Sequence, residues 1–324
     1  MLTITRRGAL LTLGAAPLLA APAVRAQGPW PNRPIRLVVA FPAGSVTDTL
    51  MRHLSEPLSR ELGQPVVVDN RPGGNGVIGT ESAARSAPDG HTWVVLSTTN
   101  GALNTYTIRR LPYDPVKDFT PISMVAENGY ILVVRADHPA KDLRGLIEMA
   151  RQRPGQLTYS IGNSSSHIAS ATLARMAGVE MMAVPYRGGP EALTDVIAGR
   201  IDSTFTDLPA GLPQIREGRL RALGITLAQP ASLAPDIPPV ASVLPGYEFN
   251  FWFGMFMPAG TPEPIVNRAN EAMSKVLNAP AMREKLAPLG YVPTPTTPEA
   301  ARQYLRNQIT HLVDAARAAG LEQQ

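Results

Sequence analysis

The stretch LVVAFPAGSVTD, residues 37–48, runs from a short apolar segment into proline, glycine and hydroxyl residues. Helical periodicity follows at once, so the stretch predicts a strand, a tight loop and a helix N-terminus. The same order recurs at LTYSIGNSSSH, residues 157–167, before a helical pattern over residues 168–176. Short apolar runs that alternate with helical patterns are typical of parallel sheets covered by helices, so the two stretches predict an α/β fold.

Apolar runs elsewhere extend this pattern along the 324 residues of the chain. The predicted strands lie at residues 35–40, 66–69, 93–96, 131–134, 157–160, 183–184, 203–206, 221–225 and 251–257. The tripeptide TPE occurs at residues 261–263 and 297–299, and each copy supplies an N-cap, a proline and a first-turn acid to a predicted helix. A chain of this length usually exceeds what one core serves, so two domains are expected.

Both strand–loop–helix stretches end where an anion could bind. In open α/β sheets, ligands sit beyond the carboxyl ends of the strands. A helix N-terminus there offers backbone N–H groups and the positive end of a helix dipole. If the two loops face each other, they could grip a small dianion without a buried arginine. The alternative is that Thr47, Asp48 and Ser164 only cap their helices. Asp207 also follows a predicted strand, and it either hydrogen-bonds a ligand hydroxyl or amine or caps the next turn.

Three other motifs each suggest a chemistry, but each lacks part of the sequence context that this chemistry requires. GNGVIG, residues 74–79, matches the dinucleotide fingerprint, but four residues separate it from the preceding strand, and the next strand ends without an acid for a ribose. Serines 164–166 beside His167 suggest a hydrolase, yet no G-x-S-x-G elbow is present and adjacent helical residues do not face each other. The five histidines lack metal-ligand spacing, so no metal or cofactor is predicted.

The first 26 residues are typical of a secretory signal peptide. Arg6 and Arg7 precede an apolar stretch, and small residues at 24–26 provide cleavage spacing, for either the Sec or the twin-arginine route. Without this segment 27 basic residues face 26 acidic ones, a balance that gives no support to nucleic-acid binding. The chain has no cysteine, which excludes a lipid-modified cysteine anchor. A freely soluble periplasmic protein is therefore expected.

Six stretches, in order along the chain, resemble the Bug proteins, which are the substrate-binding components of tripartite tricarboxylate transporters. The stretches are VAFPAG (39–44), GQPVVVDNRPGG (63–74), PDGHT (88–92), VPYRGGP (184–190), GRLRAL (218–223) and PAGTP (258–262). The resemblance implies a type II periplasmic-binding-protein fold, with two doubly wound domains and a ligand cleft between them. Domain one would comprise residues 27–125 and 247–324, and domain two residues 126–246.

The resemblance also implies how the ligand is held, because in this family backbone amides and hydroxyls of two loops bind the carboxylate groups. The predicted ligand-binding residues are Phe41, Ala43, Gly44, Ser45, Thr47, Asp48, Thr98, Gly162, Asn163, Ser164, Ser165, His167, Tyr186 and Asp207. Where the family usually has two glycines, this chain has Gly44-Ser45, and the serine adds a hydroxyl to the first loop.

The sequence therefore predicts a monomeric binding protein, neither an enzyme nor membrane-anchored. It would capture a small organic acid, a di- or tricarboxylate or a related compound, and deliver it to the integral-membrane permease of a tripartite tricarboxylate transporter. One alternative is an extracytoplasmic sensor that presents the bound acid to a receptor kinase. The alternative from another class is a hydrolase that uses Ser164 or Ser166, which would require turnover of an ester or amide.

Overall fold

The structure is a computed structural model that describes residues 30–227, 229–231, 233–247, 249–321 and 323. The predicted signal peptide, residues 1–26, lies outside the described residues. Residues Pro31–Gln324 form one compact unit. The strands of the described part are β1 (Ile35–Val39), β2 (Val66–Asn70), β3 (Thr92–Ser97), β4 (Phe119–Arg135), β5 (Thr158–Ile161), β6 (Met182–Pro185), β7 (Ser203–Asp207), β8 (Leu220–Ile225), β9 (Asn250–Pro258) and β10 (Val292–Pro293).

The helices alternate with these strands, as the sequence pattern predicts. They are α1 (Val46–Leu62), α2 (Val77–Ala84), α3 (Asn104–Thr107), α4 (Leu143–Gln152), α5 (Ser164–Ala177), α6 (Gly189–Ile197), α7 (Leu208–Arg216), α8 (Glu263–Asn278), α9 (Pro280–Leu286) and α10 (Pro298–Ala318). A π-helical turn, Thr98–Leu103, follows β3 directly. Among the helices of the described residues, none combines the length and the apolar character needed to cross a membrane.

The strands pair in the order β2-β1-β3-β9-β4-β7-β5-β6, and β8 and β10 also pair with β4. β1 runs parallel to β2 and β3, and β5 runs parallel to β6 and β7. The long strand β4 joins the two parallel groups. Its residues 119–129 pair with β9, whereas its residues 130–134 pair with β7. We call β1–β3, β9, β10 and residues 119–129 the first half of the sheet, and β5–β8 with residues 130–135 the second half.

Helices cover the sheet halves, and the central strands are buried on both faces, whereas the end strands β2 and β6 are partly exposed. Leu37, Val38 and Val39 of β1 are fully buried, which is why this strand reads as a continuous apolar run rather than an alternating one. The apolar stripe predicted for the helix after residue 261 is buried as expected in α8. In the second half, side chains of β4, α6 and α7, including Ile131 and Leu208, form the core cluster.

The strand predicted at residues 131–134 is much longer in the structure, since β4 begins at Phe119. Pro121 and the pair Asn128-Gly129 disfavour a central strand, so residue propensities did not predict a strand in this segment. The strand tolerates them through two register shifts against β9, between Pro121 and Ser123 and between Met124 and Ala126. The two-residue strand β10 was also not predicted, because its only partner among the described strands is this extension of β4.

Helix starts differ from prediction at two places. Helix α5 begins at Ser164, four residues before the predicted start, with Asn163 as its N-cap. Thr261 does not cap α8, because its hydroxyl donates to the carbonyl of Pro258 at 2.7 Å and the helix starts after Pro262. The equivalent prediction for Thr297 is confirmed, since its side chain accepts a hydrogen bond from Ala300 N–H at the start of α10.

Candidate ligand-binding site

A cavity lies between the two halves of the sheet, beyond the carboxyl ends of β1, β3, β5 and β7. Four segments and an aromatic group form most of its wall. The lining residues are Phe41, Pro42, Gly44, Ser45, Val46, Thr47, Ser97, Thr98, Thr99, Tyr130, Gly162, Asn163, Ser165, Ser166, Gly188, Gly189, Pro190, Ala192, Thr204, Phe205, Thr206, Asp207, Ala210, Phe251 and Phe253. This is the position that open α/β sheets use for ligands.

The loop between β1 and α1 holds one helix N-terminus against the cavity. Ser45 is the N-cap of α1, and its hydroxyl accepts a hydrogen bond from Asp48 N–H at 3.3 Å. Gly44 has a φ of 78°, a left-handed conformation that a residue with a Cβ adopts only with strain. The next two residues, Val46 and Thr47, line the cavity, and the first amides of a helix have no intrahelical acceptor. Their N–H groups can therefore serve an anion.

The loop between β5 and α5 repeats this arrangement on the opposite wall. The side chain of Asn163 accepts from Ser166 N–H at 2.9 Å, and the Ser166 hydroxyl accepts in return from Asn163 N–H at 3.2 Å. The Gly162 N–H also donates to the Ser166 hydroxyl, at 3.1 Å. This reciprocal capping fixes the loop and leaves Ser165 on the cavity wall at the start of α5.

The two helix starts bring the positive ends of their dipoles to the cavity without a cation. Among the described residues that line it, none is lysine, arginine or histidine. The N-terminus of a helix carries roughly half a positive charge, and its exposed N–H groups bind carboxylate and phosphate oxygens. Two such ends on opposite walls can hold a small organic anion by hydrogen bonds alone.

An aromatic group, Tyr130 with Phe251 and Phe253, forms the apolar side of the cavity. The rings of Tyr130 and Phe251 lie 4.6 Å apart, and those of Phe251 and Phe253 meet edge to face at 5.5 Å. Burial raises the pKa of Tyr130, and the nearby carboxyl of Asp207 adds to the rise. None of these three residues was predicted from the sequence. The alternation of Phe251 and Phe253 along a strand shows that they share one face, but not that this face meets a cavity.

Among the described residues that line the cavity, Asp207 is the one with an acidic side chain. It ends β7 and caps α7, because its Oδ1 accepts a hydrogen bond from Ala210 N–H at 2.9 Å. Burial raises the pKa of this carboxyl from its ordinary value to about 6, against the hydrogen bond from Ala210. Of the two roles that the sequence left open, capping is confirmed, and contact with a ligand stays a prediction.

The structure brings nine of the fourteen predicted site residues to the cavity and places the other five elsewhere. The nine are Phe41, Gly44, Ser45, Thr47, Thr98, Gly162, Asn163, Ser165 and Asp207. The five are Ala43, Asp48, Ser164, His167 and Tyr186. Ala43 is exposed on the first loop, and the Tyr186 hydroxyl donates to Asp195 at 2.9 Å. The His167 ring lies near that of Tyr159, with 6.2 Å between the centroids.

Asp48 supports the first loop from behind. Its carboxylate accepts hydrogen bonds from Gly44 N–H at 2.9 Å, from the Asn70 amide at 2.9 Å and from Arg52 Nε at 3.0 Å. Burial acts to raise the pKa of Asp48, but the hydrogen bonds from Arg52, Gly44 and Asn70 hold it below its ordinary value. The carboxylate therefore stays ionised at neutral pH and fixes the left-handed conformation of Gly44.

Ser164 contacts Asn75 at the edge of the cavity, and this contact links the segment after β5 to the segment after β2. The Asn75 amide donates to the Ser164 hydroxyl, and Ser164 N–H donates to Asn75 Oδ1 at 3.2 Å. The hydroxyls of Thr99 and Ser165 meet beside this contact at 2.8 Å. Gly188 packs against Pro42 at the mouth, so closely that an added Cβ would lie 3.2 Å from the proline ring. We call the Asn75–Ser164 and Thr99–Ser165 pairs the cross-cleft contacts.

Known proteins match this chain over most of its length. The model of the tripartite tricarboxylate transporter family receptor matches residues 50–319. Protein BugT of Bordetella pertussis is 32% identical over 295 residues, which cover 90% of each chain. A Rhodopseudomonas palustris protein solved with adipate is 33% identical with a TM-score of 0.88, and the match covers 91% of this chain and all of that one. MatC from the same organism, solved with bound malate, is 30% identical with a TM-score of 0.83, over 88% of this chain and 99% of MatC.

The fold and the cavity define a two-domain solute-binding protein of the periplasmic class. The chain belongs to the tripartite tricarboxylate transporter receptor family, which includes the Bug proteins. The fold class and the family resemblance predicted from the sequence are thereby confirmed. Members of this family bind solutes and are not enzymes, so the hydrolase alternative is wrong.

The first prediction concerns Asp48. Asp48→Asn removes one charge-assisted acceptor and turns an amide group toward the donors that surround it, so the first loop should lose its fixed shape. A hydrogen bond to a charged group contributes about 1.5–3 kcal/mol, so we expect ligand affinity to fall roughly tenfold or more. Calorimetric titration of both proteins measures this. Glu56→Gln, at an exposed position of the same helix, is the control and should change affinity less than twofold. Equal affinity of Asp48→Asn and wild type would refute the supporting role.

The second prediction concerns the cross-cleft contacts. Asn75 has a φ of 58°, so Asn75→Gly removes the side chain without straining the backbone. Because the contact with Ser164 joins the halves around the cavity, its loss should favour an open cleft and weaken ligand binding about fivefold. A double-mutant cycle with Ser164→Ala should give a coupling energy of about 1 kcal/mol in binding. Additivity of the two changes would show that the contact does not support binding.

Proposed function

We propose that this protein captures a small organic carboxylate outside the cytoplasm and delivers it to the integral-membrane permease of a tripartite tricarboxylate transporter. One observation carries the ligand class: the N-termini of α1 and α5 open into a cavity whose described lining contains no lysine, arginine or histidine. Such a site suits an anion small enough to be held by amides and hydroxyls. Two relatives about one-third identical, one solved with adipate and one with bound malate, support the same class.

We further propose that the nine cavity-lining residues predicted from the sequence contact the ligand, while Asp48 and Ser164 hold the walls in place. Domain one would comprise residues 27–125 and 247–324, and domain two residues 126–246. The change of pairing partner within β4, between Gly129 and Tyr130, supports a division in this region. The two domains would close over the ligand, because contacts such as Asn75–Ser164 form only when the walls approach.

The delivery role rests on the family and on the predicted signal peptide. The receptor family belongs to a tripartite transporter, and residues 1–26 would direct the chain to the periplasm. We expect the protein to act there as a monomer, with its liganded form recognised by the permease. A sensor that presents the same liganded form to a receptor kinase is the alternative, and it would share the ligand but not the transport.

The third prediction tests the ligand class. In a thermal-shift screen of the mature chain against small organic acids, at least one carboxylate should stabilise the protein. A ligand at a hundred times its dissociation constant adds about 2.7 kcal/mol, which corresponds to a rise in melting temperature of roughly 5 °C or more. Adipate and malate belong in the panel with amino, hydroxy and aromatic acids. Stabilisation by uncharged compounds alone would overturn the assignment.

The fourth prediction separates transport from sensing. Cells that contain the tripartite permease should accumulate the radiolabelled ligand only when this protein is present, and deletion of its gene should lower initial uptake at least tenfold. Restoring the gene with Asp48→Asn should restore uptake partly at low ligand concentration. Unchanged uptake in the deletion strain, with loss of a transcriptional response to the ligand, would favour the sensor.

A further inference from the structure

We infer that Asp207 sets the ligand specificity of this cavity by requiring a hydrogen-bond donor on the ligand, so that the preferred ligands are carboxylates carrying a hydroxyl or an ammonium group. The inference rests on the proposed function, and it names the substrate class within the organic acids. A dicarboxylate with both groups ionised would then be the weaker ligand at neutral pH.

Charge comes first. Asp207 is the one aspartate or glutamate among the described residues that line the cavity, and no cation of that lining faces it. Its Oδ1 is engaged by Ala210 N–H, and no side chain in the described part of the chain donates a hydrogen bond to the carboxylate. The titratable groups nearest to it are Tyr130, its register partner on β4, and Tyr291. Both tyrosines are neutral at physiological pH, so among the described residues the negative charge has a backbone donor but no side-chain partner.

The capping role does not require this charge. A helix N-cap needs one side-chain oxygen, and asparagine or serine supplies it as well as aspartate does. The chain itself uses Ser45 for α1 and Asn163 for α5, the two other helix starts at the cavity. At position 207 the carboxyl group is half-buried on the cavity wall, and its partial loss of water has an electrostatic cost, which is visible as a pKa raised to about 6. Capping alone leaves that cost without a function.

A ligand donor would supply the missing partner. The amides of α1 and α5 hold one carboxylate, and Asp207 lines the same cavity at the start of α7. A hydroxyl or ammonium group of the ligand can donate to it, and a charge-assisted bond of this kind is among the stronger hydrogen bonds in proteins. A second ionised carboxylate would instead repel it, since two like charges that share a site cannot both remain ionised. A dicarboxylate would therefore bind only with uptake of a proton.

The fifth prediction uses two matched ligand series and a variant that keeps the cap. The probes are adipate, 6-hydroxyhexanoate and 6-aminohexanoate, with succinate, 4-hydroxybutanoate and 4-aminobutanoate as the shorter series. At pH 7.5 wild type should bind the hydroxy or amino member of a series at least about tenfold more tightly than its dicarboxylate. The Asp207→Asn variant should lose or reverse that preference, because the amide caps α7 without repelling an anion. Comparison of the hydroxy with the amino compound shows which donor the site prefers.

Proton linkage provides the second readout. For wild type, affinity for the dicarboxylate should fall as the pH rises from 6.5 to 8, and titrations in buffers of different ionisation enthalpy should show proton uptake. Both effects should vanish in Asp207→Asn. Asp142→Asn is the matched control, since Asp142 caps α4 through Gly145 N–H at 2.7 Å on an exposed surface, and this change should leave every affinity unaltered. Asp207→Ser, which also retains a cap, covers the case in which the asparagine variant fails to fold.

An unchanged ratio of affinities in wild type and Asp207→Asn would overturn the inference, and so would tighter binding of the dicarboxylate by wild type at pH 7.5. Failure of wild type to bind any of the six probes would also count against it. In that case stabilisation by another carboxylate in the thermal-shift screen would leave the proposed function intact, so the two failures can be told apart.

Discussion

A carboxylate that leaves water must find several hydrogen-bond donors or a counter-charge, and the layout of this molecule follows from that requirement. The described lining of the cavity offers no cation, so the donors are the backbone amides at the starts of α1 and α5. Helix starts meet at one place only if the strands before them end there, as β1 and β5 do. Two parallel strand groups, joined by the long strand β4, bring those ends together.

Amides bind an anion well only when they are held in place before the ligand arrives, and much of the polar sequence around the cavity does this. Asp48 fixes Gly44 from behind, and the reciprocal caps of Asn163 and Ser166 fix the second loop. These groups do not need to touch the ligand to determine its affinity. The cross-cleft contacts add a different constraint, because they favour the conformation in which both walls can reach one ligand.

The sequence predicted the α/β fold and both loops because strand, glycine–hydroxyl turn and helix are adjacent in the chain. The structure places Ser164 and His167 outside the cavity lining because α5 begins at Ser164 itself, which puts these side chains on helix faces other than the one lining the cavity. Asn75 and the aromatic group escaped notice because their neighbours are distant in sequence. A pattern along the chain shows which residues share a face, but the surface that this face meets is a tertiary property.

Amides alone discriminate poorly, since any small anion of suitable size can accept from them. A single acidic residue changes this, because it makes one end of the cavity an acceptor while the opposite walls remain donors. This carboxyl group destabilises the empty protein, because its pKa is raised above the ordinary value. Its ionisation therefore opposes folding as the pH rises from about 4 through 6, and the penalty persists at neutral pH. A ligand that donates to Asp207 removes the penalty, whereas one that does not must bind against it. Specificity in such a site therefore depends on whether the ligand donates a hydrogen bond to this carboxyl group or leaves it without one. It needs no additional positive charge.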